Sequence, residues 1–110
     1  MKKIAVLIII SLVVASPLAV RAADAKANWA NNCVQCHGAA GKGDTKMGKM
    51  LNAADLTDPK KQASFTDAQA AAAIKEGIKQ NGKTAMKAFG GKLSDDEIKA
   101  LIAYVRSLKK

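Results

Sequence analysis

The chain has 110 residues, 18 Lys plus Arg against 9 Asp plus Glu, a formal net charge of +9, two cysteines and one histidine. At this length one domain is the expectation, and two cysteines allow a single disulfide, which excludes a disulfide-dense scaffold. Much of the 49% apolar content lies in the first twenty residues; without residues 1–22 there remain 88 residues, a charge of +6, one Trp, one Tyr and two Phe. A core so poor in large side chains calls for a staple, a metal or a cofactor.

Lys2 and Lys3 precede an apolar stretch, Ile4 to Val20, interrupted by Ser11, Ser16 and Pro17. Val20-Arg21-Ala22 and Ala23-Asp24-Ala25 follow as short-residue sites. A charged start, an apolar middle and a small-residue end describe a secretory signal peptide over residues 1–22, cleaved after Ala22 or, alternatively, after Ala25. A retained anchor is the rival, but seventeen residues at ~1.5 Å each barely span a ~30 Å hydrocarbon layer, and Pro17 is expected to break the helix. Either way residues 23–110 lie outside the cytoplasmic membrane, periplasmic or otherwise exported, with no stable membrane insertion after cleavage.

Asp24 to Asn32 reads as a short Ala-rich helix with Asp24 at its positive end and Trp29 as its one large apolar side chain. Cys33-Val34-Gln35-Cys36-His37 follows, then glycines at 38, 41, 43 and 48 that mark a tightly turned loop. Met47, Met50 and Leu51 have the spacing of a short helical turn, and Asp58-Pro59 marks a break or a helix start. Thr66-Asp67-Ala68-Gln69 is a capping-box pattern; its helix runs to about Glu76 and stops at Gly77, with a further turn before Asn81-Gly82 as an option. Ser94-Asp95-Asp96-Glu97 is a second capping box, and Ile98, Leu101, Ile102, Val105 and Leu108 keep i, i+3, i+4, i+7 spacing behind it. No run has the alternation of a strand. The expected fold is all-α, three or more helices joined by glycine-rich loops.

Two thiols three residues apart on one helical turn can add across both vinyl groups of a haem, and the adjacent histidine then reaches the iron. A thioredoxin-like pair needs a βαβ setting, which the sequence does not offer. A zinc site needs four ligands, and only three are present. A Cys33–Cys36 disulfide would close a small strained loop and leave His37 unexplained. Covalent haem c, one per chain, accounts for all three residues.

On these residues the chain resembles the class I c-type cytochromes, the small soluble monohaem cytochromes of bacteria, over essentially all of residues 23–110. Trp29 stands where that family has an aromatic on its first helix. Cys33-Val-Gln-Cys-His37-Gly-Ala-Ala-Gly-Lys-Gly43-Asp resembles the attachment segment, and Met86-Lys-Ala-Phe89-Gly-Gly before Leu93-Ser-Asp-Asp-Glu-Ile resembles the ligand loop. The resemblance implies a class I cytochrome c fold wrapped around one covalently bound haem, with first and last helices packed so that Trp29 meets the Leu101–Tyr104–Val105 face. It implies thioethers from Cys33 and Cys36, and His37 as the proximal axial iron ligand.

For the distal ligand, a sole histidine excludes bis-histidine ligation within one chain. Of Met47, Met50 and Met86, the first two follow His37 closely and suit packing. Met86, in a polar loop before the last helix, can approach the opposite haem face, and the resemblance also points to it. The family commonly has Pro after this methionine; here Lys87 stands there, which predicts a looser loop. Lysines at 42, 46, 49, 60, 61, 75, 79, 83, 87 and 92 read either as a solubilising surface or as a basic rim that steers acidic redox partner proteins. Nucleic acid is a poor partner for an exported chain without an aromatic-basic face. The expectation is a monomeric periplasmic electron carrier, not an enzyme. The alternatives are a haem subunit of a larger oxidoreductase, and an open-site haem enzyme or sensor; the latter lacks distal groups, with Arg106 expected to face solvent.

Overall fold

A computed structural model describes residues 8–12 and 17–110, the side chains of residues 17–20 excepted. The apolar stretch read as the core of a leader lies in large part outside the described residues. Six helices and one small hairpin follow in order: α1 Pro17–Asn32, α2 Val34–His37, α3 Lys46–Leu51, α4 Pro59–Ala63, α5 Asp67–Glu76, β1 Ile78–Gln80, β2 Lys83–Met86 and α6 Asp95–Ser107. No described helix is long and apolar enough to cross a membrane.

The first helix begins earlier than its composition suggested. The described part of α1 starts at Pro17, and the break expected there in the apolar stretch concerns residues outside those described. Asp24 consequently sits exposed in mid-helix, away from the positive end. Ala25 and Trp29, one helical turn apart, are 2% and 3% exposed and form the buried stripe of α1.

Local capping accounts for the boundaries of the last three helices. Asp58 caps α4 through the Lys60 amide, with Pro59 in the first turn. Thr66 with Gln69, and Ser94 with Glu97, form reciprocal capping boxes at α5 and α6, each satisfying two backbone donors that a helix start leaves orphaned. The apolar stripe of α6 buries Ile98, Leu101, Ile102 and Val105. Its packing against α1 is the main helix–helix contact, and Trp29 lies 5.4 Å from the Tyr104 ring. The expected Trp29–α6 meeting is present. Asn28 Nδ2 donates to Glu97 Oε2 at 3.0 Å across the same crossing.

Two features depart from the expectations. Residues 78–86 form an antiparallel hairpin where a loop was expected. Asn81 (φ 53°) and Gly82 (φ 76°) supply its turn, both in the left-handed region that a tight hairpin of matching twist requires. Arg106 faces inward rather than to solvent. It donates to the Phe65 and Gln62 carbonyls, to Gln62 Oε1 (2.9 Å) and to Asp67 Oδ1 (2.9 Å), with its guanidinium 4.4 Å from the Phe65 ring centre. Gln62, only 4% exposed, in turn donates to the Leu56 and Val105 carbonyls. These bonds tie α4 and the segment before it to α6.

Candidate functional site

The Cys33–His37 segment continues directly from α1. Cys33 N donates to the Trp29 carbonyl at 2.9 Å, and His37 N to the Cys33 carbonyl at 2.9 Å, so Cys33, Cys36 and His37 share one helical turn. The turn is braced from behind by α3. Thr45 Oγ1 donates to the carbonyls of Gln35 (2.7 Å) and Cys36 (2.9 Å) and accepts from Gly48 N. Gly48 is glycine because α3 lies so close that a Cβ there would collide with the Cys36 carbonyl oxygen.

Cys33 and Cys36 are free and half-buried. Burial, and secondarily the neighbouring Cys36, push the Cys33 thiol up to about 11, so it stays protonated at neutral pH. Burial lowers the pKa of His37, partly opposed by its hydrogen bond to Ala54. Nδ1 lies 3.4 Å from the Ala54 carbonyl, an acceptor only. The proton therefore belongs on Nδ1, and Nε2 carries the lone pair that a metal needs.

Two adjoining cavities of about 250 and 410 Å³ open beside this turn. Cys33, His37, Ala54, Lys61, Ile78 and Met86 line both. The first runs beneath Trp29, Leu56, Phe65 and Leu101; the second adds Cys36, Met47, Leu51 and Phe89. Together they reach the size of an ordinary cofactor pocket, ~300–1,000 Å³. Neither lining contains a carboxylate; the charged groups are Lys61 and, in the second, Lys87.

Met86 is not in a loop. It ends β2 opposite Ile78, beside an irregularity that leaves two residues of β2 facing one step of β1. Such a bulge re-aims side chains, and Ala85 and Met86 are half-buried while Lys83 and Thr84 are exposed. The other methionines do not pack as expected: Met50 is 70% exposed and borders neither cavity, and Met47, 38% exposed, borders only the second. The structure thus gathers Cys33, Cys36, His37 and Met86 around one apolar space. Sequence reasoning missed the Ala54 carbonyl, Thr45 and Gln62, and had Lys61 only as one of ten surface lysines. Only Thr45, directly before a helical spacing, carried a local signal, that of an N-cap.

Paired free thiols, a half-buried imidazole whose Nδ1 faces a carbonyl and an apolar space beside them fit a covalent haem protein of the class I architecture. The cytochrome c family model matches residues 22–109, and the chain belongs to the cytochrome c family. Over 80 residues it is 39% identical to the cbb3-type cytochrome c oxidase subunit FixP of Bradyrhizobium diazoefficiens. That match takes in 73% of this chain and 25% of FixP, so the chain spans about a quarter of the relative's length. Among solved structures, the KustC0563 c-type cytochrome is 33% identical with a TM-score of 0.70, covering 79% of this chain and 99% of that one. A point mutant of the same cytochrome gives 32%, a TM-score of 0.67, and coverage of 78% and 99%.

The cofactor of the family is haem c, and the chemistry is haem-based electron transfer. The residues present fit that group. The cysteines are unbonded, the imidazole is neutral, and Trp29, whose buried Nε1 has no hydrogen-bond partner, borders the first cavity.

Proposed function

We propose that the chain is an exported single-electron carrier, residues 1–22 being its leader and 23–110 the functional domain. In this reading Cys33 and Cys36 hold the haem as thioethers, and His37 and Met86 are the axial ligands on its two faces. The observation that carries the ligand assignment is that Met86, alone of the described methionines, lines both cavities together with Cys33 and His37.

The haem supplies the one-electron ferric–ferrous couple. The protein does the rest. Ala54 fixes the His37 tautomer, the α1–α6 crossing and Phe89 keep water from the apolar walls, and a thioether from Met86 together with burial favours the ferrous state. Two fixed ligands also leave no open iron position for substrate, which argues against the enzyme or sensor alternative. Exposed Lys46, Lys49, Lys79 and Lys83, with Lys87 at the second cavity, supply a basic surround for an acidic redox partner met as a monomer.

The test is the weak red-edge absorption band of methionine–iron(III) ligation in protein matured with haem. Met86→Ala should abolish the band, while Met47→Ala and Met50→Ala should keep it. Loss with Met47 and retention without Met86 would reverse the assignment. The likeness to FixP favours a second reading, a haem subunit docked in a larger oxidoreductase. Gel filtration of native extract separates the two, since a carrier elutes near the mass of residues 23–110 with one haem, below the 11.5 kDa of the full chain.

A further inference from the structure

Among the residues that wall the two cavities, Lys61 stands apart. It is the only charged side chain common to both, and it is carried by α4, on the far side of the sequence from the cysteine turn. The residues that line both cavities with it are Cys33, His37, Ala54, Ile78 and Met86, and Lys61 itself is exposed. No carboxylate lies among the lining residues, and the two ion pairs among the described residues, Lys75–Asp95 and Arg106–Asp67, do not involve it. The helix that carries it is not a loose surface turn. The adjacent Gln62 is buried and bonded to Leu56, Val105 and Arg106, so the backbone of Lys61 is held at a set place beside the cavity.

A haem brings two carboxylates into an otherwise apolar seat, and a carboxylate at an apolar wall needs a counter-charge or water. We propose that Lys61 is the residue that meets the carboxylate edge of the haem. It sets how the group lies between α2 and α4 and raises its reduction potential through its positive charge. The proposal rests on the cavity pair being the haem seat. A lysine that only covers the apolar wall with its methylene stem, its ammonium in bulk water, is the competing role, and the two separate by chemistry: the stem survives in methionine, whereas the charge survives in arginine.

The experiment is potentiometry on the purified haem-loaded chain, comparing the wild type with Lys61→Met and Lys61→Arg, and with Lys99→Met on α6, outside both linings, as a control for net charge. Covalent haem content is read in parallel from the mass and the pyridine haemochrome spectrum. A positive charge beside the iron favours the less positive ferrous state. Lys61→Met should therefore lower the potential, with about a tenfold change in the ferric/ferrous ratio at fixed poise, ~59 mV for one electron. Lys61→Arg should restore most of this shift, and Lys99→Met should show little. A Lys61→Met protein that loses covalent haem while Lys61→Arg retains it supports the same role. A Lys61→Met potential equal to wild type, or shifted no more than by Lys99→Met, overturns it. A wild type that takes up no covalent haem would instead sink the parent reading of the cavity, an outcome visible before any variant is compared.

Discussion

The two walls of the site are built on different principles. The histidine wall hangs on the α1–α6 crossing: Trp29 and Leu101 are 3% and 1% exposed, and the cysteine turn follows α1 directly, tied to it by the Cys33 amide on the Trp29 carbonyl. The methionine wall is a two-stranded ribbon whose first strand is exposed throughout and whose second is exposed for half its length. An isolated hairpin of this kind is marginal in water. The chain thus fixes the cysteine side of the cavity through its core and leaves the opposite side to a local turn, so the former should fail only with global unfolding and the latter should fail alone.

The largest expected effect breaks the first wall. Leu101→Ala removes the most deeply buried side chain of the α6 stripe and should destabilise by ~2–5 kcal/mol, read as one cooperative loss of helix signal and haem-region absorption in denaturant. Separate transitions by the two probes would refute the claim that core and cysteine turn form one unit.

A smaller effect isolates the second wall. Gly82 has φ +76° and open space around it, so Gly82→Ala meets backbone strain rather than a collision. It should cost about 1 kcal/mol and weaken the methionine–iron band well before the global transition. A band that disappears only with global unfolding would show the ribbon to be as firmly held as the helices.

The smallest sharpens the account of the crossing itself. The Ser94 backbone amide, then Asn28, then the Ser94 side chain hold the Glu97 carboxyl below its ordinary range. A depressed folded-state pKa contributes stability that is present above the unfolded value and lost as pH falls through the folded one. The wild type should therefore exceed Glu97→Gln in stability at neutral pH, with the gap closing below about pH 4. A gap independent of pH would remove ionisation from the explanation.

Much of this was legible in the sequence because its signals are local. The two capping boxes placed α5 and α6 to within a residue at their starts, and Gly77 ended α5 as read. The cysteine–histidine spacing singled out the residues that line the cavity. The hairpin was missed although Asn81-Gly82 is a strong turn signal, because Ile78-Lys79-Gln80 and Lys83-Thr84-Ala85-Met86 carry no apolar alternation; the ribbon is specified by its turn and not by a buried face. Arg106 was misjudged for a different reason: its partners are main-chain oxygens and a glutamine some forty positions earlier, and no periodicity along α6 can announce them. Met86 was expected in a loop; it ends β2 and lines both cavities, since the bulge beside it is a property of pairing.

The α1–α6 crossing joins segments 69 residues apart in the sequence, Asn28 to Glu97, and this orders events in time. In an exported chain that emerges N-terminus first, Trp29 and the cysteine turn arrive well ahead of residues 98–105. The wall that Leu101 and Val105 supply beside Cys33 is therefore absent until α6 arrives. Closure is delayed by position in the sequence alone, which leaves an interval in which a large planar group can enter a seat that the finished fold would obstruct.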